Sequence, residues 1–149
     1  MPFDGQPPAE TTARDHIIQV RDLIAGMNPV RFDIADWGRN TLLFNAVSPH
    51  EMVHNCFTAA CIGGWCDALR MPDVRVLPAQ RDEAATAAWL GLTADDGDAL
   101  FYMTRTDEHF DNVTPSHAVA VLDILLETGE VDWDAAFTRV ELSRVELSR

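Results

Sequence analysis

The residues with the clearest chemical pattern are His50 to His54, which read His-Glu-Met-Val-His. In the H-E-x-x-H pattern, two histidines four residues apart on a helix bind one zinc ion. Glu51 would take a proton from a zinc-bound water, as in a small zinc metallopeptidase. Catalytic zinc also needs a third protein ligand, and none follows at the spacing of known families. Pro49 also limits His50 to the first turn of such a helix, which weakens this interpretation.

A structural metal site is the second chemistry that these residue types allow. The zinc-binding side chains that lie near one another in the sequence are His50, His54, Cys56 and Cys61. Cys56, Cys61 and Cys66 are five residues apart, so successive thiols on a helix point about 140° away from each other. We therefore expect core cysteines and no cofactor, with zinc as the alternative. A redox-sensitive thiol protein built on Cys56 and Cys61 is a third possibility.

Other catalytic and ligand-binding patterns are weaker. Cys56 with His109 or His117 would form a nucleophilic pair, but no spacing selects one of them. The chain has no lysine and no phosphate-binding loop. The segment Asp95-Asp96-Gly97-Asp98 is similar to the start of a calcium loop, but Thr106 stands where its final glutamate belongs. Helix capping explains that segment better.

Acidic residues dominate the C-terminal half of this chain of 149 residues, whose formal charge is −13. From Gly91 to Asp134 there are eleven acidic residues and one arginine, a net charge of −10. Such a surface repels nucleic acid and anionic membranes and attracts basic proteins, although acidic surfaces also simply aid solubility. The positions that we expect to contact a partner are Asp95, Asp96, Asp98, Asp107, Glu108, Asp111, Asp123, Glu127 and Glu130.

The length and the hydrophobic content of 47% predict one globular domain. We expect a single helical domain at residues 11–139, between a mobile arm at residues 1–10 and a tail at residues 140–149 that contains Val-Glu-Leu-Ser-Arg twice. No apolar run approaches the ~18 residues that span a bilayer. The N-terminus has no basic and apolar pattern of a secretory signal, so we expect a cytoplasmic protein.

The hydrophobic pattern predicts a mainly α fold with five or six short helices. The clearest helix begins at Thr114-Pro115 and ends before Gly129. Residues 55–70 predict a buried central helix, which Gly63-Gly64 weakens. Period-two alternation predicts a short extended segment near residues 30–34, and the breakers that follow indicate irregular structure up to about residue 50.

Residues 56–65 read Cys-Phe-Thr-Ala-Ala-Cys-Ile-Gly-Gly-Trp. This segment resembles C-G-T-x-x-C-[IL]-A-G-[WH], a segment of a family of small uncharacterised phage and prophage proteins. Phe32-Asp33-Ile34 with Trp37 resembles F-x-[MI]-x-x-W, and residues 90–101 resemble the helix pair of the family. Residues 114–133 resemble its ending, T-P-x-x-A followed by T-G-x-V-x-W. The resemblance brings no activity and no catalytic residues.

The resemblance implies a phage or prophage origin, and hence a bacterial host cell. Small acidic phage proteins often bind host proteins. We expect a non-enzymatic accessory protein that binds a host or phage protein with a basic surface. It would inhibit, for example, a host defence or nucleic-acid-binding protein, without itself contacting nucleic acid or membrane. The alternative function is the zinc metallopeptidase with Glu51 as its base.

Overall fold

The computed structural model describes residues 12–43, 45–55, 57–76 and 82–147, with side chains described up to residue 145. Seven α-helices and one two-stranded antiparallel sheet occur in these residues, which confirms a mainly helical single domain. The helices are α1 Ala13–Gly26, α2 Pro49–His54, α3 Ile62–Arg70, α4 Glu83–Trp89, α5 Ala94–Tyr102, α6 Pro115–Thr128 and α7 Trp133–Leu147. The strands are β1 Arg39–Asn40 and β2 Thr58–Ala59. Two 3₁₀ turns cover Pro29–Arg31 and Phe110–Asn112.

Local side chains determine where the helices begin and end. Thr12 caps α1 and forms a capping box with Asp15, whose carboxylate accepts the Thr12 N–H at 3.1 Å. Thr93 caps α5 by accepting the N–H of Asp96. Helix α6 ends at Gly129, whose φ of +79° is the left-handed conformation that glycine adopts at little cost.

Helix α6 packs against both α1 and α7 in the hydrophobic core. Its apolar face, which includes Val121, Leu122 and Leu125, is buried. Trp133 at the start of α7 is also buried, and its indole N–H donates to the carbonyl of Ala99 at 2.8 Å. This bond fixes the beginning of α7 against α5.

Trp37 lies directly across the N-terminal half of α3. A Cβ atom at Gly63 would lie 2.1 Å from the Trp37 ring, and one at Gly64 would lie 1.8 Å from the Trp37 carbonyl oxygen. The glycine pair, which weakens α3 as a helix, therefore allows the close approach of Trp37. The indole N–H of Trp37 donates to the Asp67 carboxylate at 2.7 Å, so the ring has a fixed orientation.

The extended segment near residues 30–34 is short. Asn28 caps a 3₁₀ turn that begins at Pro29, and the extended Phe32 forms a parallel bridge with Ala60. The Arg31 guanidinium donates to the carbonyl oxygens of Met52 and Thr58, at 2.8 and 3.2 Å. These bonds hold the turn against α2 and β2.

Two helices extend into segments for which the sequence predicted other structure. Helix α2 begins at Pro49, at the edge of the stretch expected to be irregular, because Ser48 accepts the N–H of Glu51 and caps it. Helix α7 runs to Leu147 and includes most of the expected tail. The expected arm at residues 1–10 lies outside the described residues. No helix in the described part of the chain combines the length and apolar character that crossing a membrane requires.

Candidate functional site

The H-E-x-x-H segment forms helix α2, as the zinc interpretation requires. The rings of His50 and His54 stack, with their centroids 4.1 Å apart and an angle of 23° between their planes. His54 Nδ1 donates to the His50 carbonyl oxygen at 3.0 Å. A zinc ion binds an imidazole nitrogen at about 2.0–2.1 Å, along the lone pair in the ring plane. Two nearly parallel, stacked rings do not direct two such lone pairs at one ion.

The other groups of the zinc interpretation are not assembled around these histidines. Glu51 is exposed. In residues 12–43, 45–55, 57–76 and 82–147, no three His, Cys, Asp or Glu side chains gather as a metal site requires. Cys56 lies outside the described residues, and Cys61 is buried at the N-terminus of α3. This geometry therefore does not support the zinc alternative, which stays a prediction.

The described cysteines occupy core positions. Cys66 is fully buried, and burial raises the pKa of its thiol well above the ordinary value. His117 is also buried, and its Nδ1 accepts the N–H of Thr114 at 3.0 Å in the capping box of α6. His109 is exposed and accepts the N–H of Asp111. Both histidines thus have structural contacts, whereas the proposed Cys56 pairs and the Cys56–Cys61 redox pair involve a residue outside the described ones.

Three of the nine acidic positions expected to bind a partner form ion pairs with arginine. These pairs are Asp96–Arg105 at 2.8 Å, Asp123–Arg21 at 2.9 Å and Glu127–Arg139 at 2.9 Å. The Arg139 guanidinium donates to both Glu127 oxygens and holds the pKa of this carboxyl below its ordinary value. Asp123 is paired with an arginine of α1 and serves helix packing. These contacts give Asp123 and Glu127 a role within the fold.

A separate set of carboxylates gathers where the start of α5 meets the α6–α7 connection. Asp96, Glu130 and Asp132 line one cleft of about 580 Å³, together with Arg105. The Thr106 hydroxyl donates to the Asp134 carboxylate, which brings the loop after α5 to the start of α7. We call this region the acidic end. It consists of the cleft residues Asp96, Arg105, Glu130 and Asp132, of Asp134, and of the sequence neighbours Asp95, Asp98, Asp107 and Glu108.

The acidic end has eight carboxylates and one guanidinium, a net charge of −7. All of the carboxylates except that of Asp96 belong to exposed residues. Helix capping accounts for part of this charge: Asp132 accepts the N–H of Ala135 at 3.0 Å, and Asp134 lies in the first turn of α7. It does not account for Asp107, Glu108 or Glu130, which lie outside the helices.

The structure also contains an aromatic cleft that the sequence analysis did not identify. Its volume is about 320 Å³, and the residues that line it are Ile34, Ala35, Asp36, Trp37, Cys61, Phe101, Tyr102, Met103 and Phe110. Trp37 contacts Phe101 edge to face, with ring centroids 5.3 Å apart, and lies 6.3 Å from the ring of Tyr102. Apart from the adjacent Phe101, Tyr102 and Met103, the aromatic and sulfur-containing side chains come from distant segments, so no local periodicity indicates this cleft.

Backbone strain marks the same cleft. Met103 ends α5 with a φ of +56°, and it is the one non-glycine residue with positive φ among the described residues. A methionine in the left-handed region costs on the order of 1–3 kcal/mol, and such strain clusters at ligand-binding sites. The position at the end of α5 is one where glycine is usual. This strained helix end is one feature of the aromatic cleft, which is the second candidate site.

The comparisons with known proteins add no further constraint. No family model, no curated protein and no solved structure matches this chain. Two features of the surface therefore bear on the function: the acidic end and the aromatic cleft.

Proposed function

We propose that this chain is a non-enzymatic binding protein that docks its acidic end onto a basic surface of another protein. The observation that carries this proposal is the cleft in which Asp96, Glu130 and Asp132 meet. These residues come from α5 and from the α6–α7 connection, so only the folded chain brings them together. The fold thus concentrates negative charge that is spread along the sequence.

Unneutralised charge at the acidic end has an energetic consequence. Like charges held near each other repel, and salt at physiological concentration screens exposed charges beyond about 8 Å. A partner that brings arginine or lysine side chains to this region would relieve the repulsion upon binding. Opposite charges would also steer the encounter and raise its rate, an effect that salt weakens.

The charge also limits the class of partner. A region with a net charge of −7 repels phosphate backbones and anionic lipid headgroups, which leaves cationic protein surfaces as the complementary class. The resemblance to phage and prophage proteins points to a protein of the bacterial host cell. A nucleic-acid-binding protein whose basic groove would be covered is the partner that this charge fits best.

The test uses two variants that change the charge equally in different places. Glu108→Gln/Glu130→Gln removes two charges from the acidic end, and Asp73→Asn/Glu141→Gln removes two exposed charges elsewhere. Proteins captured from bacterial lysate would be identified, purified and titrated at low and at physiological salt. We expect the first variant to weaken binding at low salt by about tenfold, and the control to change it by less than about twofold.

Two outcomes would contradict the proposal. Equal weakening by both variants would assign binding to the net charge of the chain and not to the acidic end. Binding that is insensitive to salt and to both variants would show that charge attraction does not drive the interaction.

A further inference from the structure

We propose that the aromatic cleft receives one apolar side chain from a basic segment of the protein partner. This inference rests on the proposed function, because it identifies the second contact of the same partner. The occupant that we propose is a peptide segment in which Phe, Leu or another large apolar residue lies between arginines or lysines.

The floor of the cleft is fixed before any partner binds. The Trp37 indole is held by the Asp67 carboxylate at 2.7 Å and by its close contact with Gly63 and Gly64. Phe101 is buried and packs edge to face on Trp37. A site whose walls are already ordered loses little conformational entropy upon binding. A single inserted side chain is therefore enough to contribute to the free energy of binding.

The rim of the cleft exposes apolar surface that a partner would cover. Tyr102 is 50% exposed and Phe110 is 47% exposed, although both line the cleft. Tryptophan and tyrosine are the residue types enriched among the side chains that dominate binding energies. The volume of about 320 Å³ lies at the lower end of the range for ligand pockets, which suits one side chain better than a large ligand.

The charges around the cleft select a cationic segment. Among the described residues that line it, none is lysine or arginine, and Asp36 is the one that is acidic. Asp36 is paired with Arg39 at 2.6 Å, so the net negative charge comes from neighbouring residues. Those neighbours include Asp107 and Asp111, which lie within three positions of Phe110.

Helix α5 connects this cleft with the acidic end. Asp95 and Asp96 lie in its first turn, and Phe101 and Tyr102 lie in its last. A nine-residue helix rises about 1.5 Å per residue, so the two sites are on the order of 12 Å apart along it. An extended peptide covers that distance in about four residues. One basic segment can therefore reach both sites, whereas a second copy of this chain brings a charge of −13 to an acidic surface.

The test measures the fluorescence anisotropy of three labelled peptides. The first is Arg-Arg-Gly-Phe-Gly-Arg-Arg, the second has serine in place of phenylalanine, and the third has glutamate in place of every arginine. At about 50 mM salt, where screening is moderate, we expect the phenylalanine peptide to bind about fivefold or more tightly than the serine peptide. We expect no binding of the glutamate peptide.

Matched variants locate the apolar contact. Phe110→Ser removes an aromatic ring from the rim, whereas Phe57→Ser removes one of similar exposure that does not line the cleft. We expect Phe110→Ser to abolish the preference for phenylalanine and Phe57→Ser to retain it. Tyr102→Ser gives a second measurement at the rim, and thermal unfolding followed by circular dichroism verifies that each variant folds.

The outcomes separate this inference from the proposed function. If the preference for phenylalanine survives both rim variants, the proposed contact in the aromatic cleft is wrong. This holds even when Glu108→Gln/Glu130→Gln lowers the affinity of all cationic peptides. Conversely, the rim variants could abolish the preference for phenylalanine while Glu108→Gln/Glu130→Gln leaves the affinity of the cationic peptides unchanged. That result supports the apolar contact in the aromatic cleft and contradicts the proposed docking of the acidic end.

Two other occupants would be recognised in the same experiments. Displacement of the peptide by N-acetyl-phenylalanine amide, which carries no charge, at equal concentration would assign the cleft to small apolar ligands and overturn the proposal. A dimer in sedimentation velocity that Phe110→Ser converts to monomer, without peptide binding, would assign the cleft to a second copy and would also overturn it.

Discussion

Asp67 and the carboxylates of the acidic end are the same chemical group in opposite surroundings. Asp67 is buried in α3, where its oxygens accept the Trp37 indole N–H at 2.7 Å and the Thr86 hydroxyl at 2.7 Å. Arg70 forms an ion pair with it at 3.2 Å. The carboxylates of the acidic end are mostly exposed, and one arginine is present among eight of them.

The difference shows how the fold divides its acidic residues between two tasks. A buried carboxylate is tolerated because several donors compensate for the loss of water, and it then fixes the side chains that surround it. An exposed carboxylate contributes little to folding, so it is available for contact with another molecule. Substitutions in the two regions should therefore have very different effects on stability.

The largest effect is expected at Asp67. Asp67→Ala leaves the Trp37 N–H, the Thr86 hydroxyl and the Arg70 guanidinium without their common acceptor. We expect the free energy of unfolding to fall by about 3–5 kcal/mol, as when one partner of a buried ion pair is removed. Urea denaturation measures this loss. Asp98→Asn at the acidic end is the control and should change stability by less than about 0.5 kcal/mol; similar losses would refute the contrast.

The contact between Trp37 and α3 gives the next largest effect. Gly64→Ala places a methyl group 1.8 Å from the Trp37 carbonyl oxygen, where the backbone must move. We expect a loss of about 1–3 kcal/mol, although alanine is the better helix former. Gly26→Ala, where no atom lies within 4 Å, should instead be neutral or stabilise by up to about 1 kcal/mol. Thermal unfolding of both variants compares them, and a gain at position 64 would contradict the close contact.

A smaller effect concerns the pH dependence at His117. Its neutral Nδ1 accepts the Thr114 N–H, and burial, followed by the charge of Arg144, lowers the pKa of this histidine. The unfolded chain therefore binds this proton at higher pH than the folded chain does. The stabilisation is present above the ordinary histidine pKa of about 6.5 and is lost as the pH falls below it.

Urea denaturation at several pH values tests this dependence. His117→Asn should remove it at a cost of about 1 kcal/mol near neutral pH, the usual effect of losing a helix cap. The exposed His109→Gln is the matched control and should retain the dependence. If the free energy of unfolding of His117→Asn depends on pH as that of the unmodified protein does, groups other than His117 cause the pH dependence.

The smallest effect is expected at the acidic end itself. Glu108→Gln/Glu130→Gln relieves repulsion, so we expect stability at low salt to stay equal or to rise by no more than about 0.5 kcal/mol. We expect Glu127→Gln to lower stability slightly instead, because it breaks the bidentate pair with Arg139. A marked loss of stability in the first variant would mean that these carboxylates serve the fold.

Local signals in the sequence account for the elements that were predicted well. Thr114, Pro115 and Gly129 predict α6 as the structure has it, because caps and first-turn prolines act within a few residues. The central helix was predicted from residue 55, but α3 begins at Ile62. The residues before it pair instead with β1 as strand β2, through contacts that are distant in the sequence.

The candidate sites were less predictable, for the same reason. The sequence indicates how much negative charge the chain has, but not that Asp96 and Asp132 line one cleft. The aromatic cleft requires Trp37 to meet Tyr102 and Phe110, and no spacing in the sequence relates these positions. From the sequence alone, Gly63-Gly64 indicates only a weak helix. The reason for the two glycines is a close contact with Trp37, some 26 positions earlier, which no local pattern reveals.

The position of Trp37 gives the protein an intrinsic optical reporter. Of the four tryptophans in the chain, Trp65 and Trp133 are buried, and Trp89 stacks on His16. Trp37 alone among them lines the aromatic cleft. A molecule that enters the cleft would change the polarity around this indole, and its emission wavelength would shift without any attached dye.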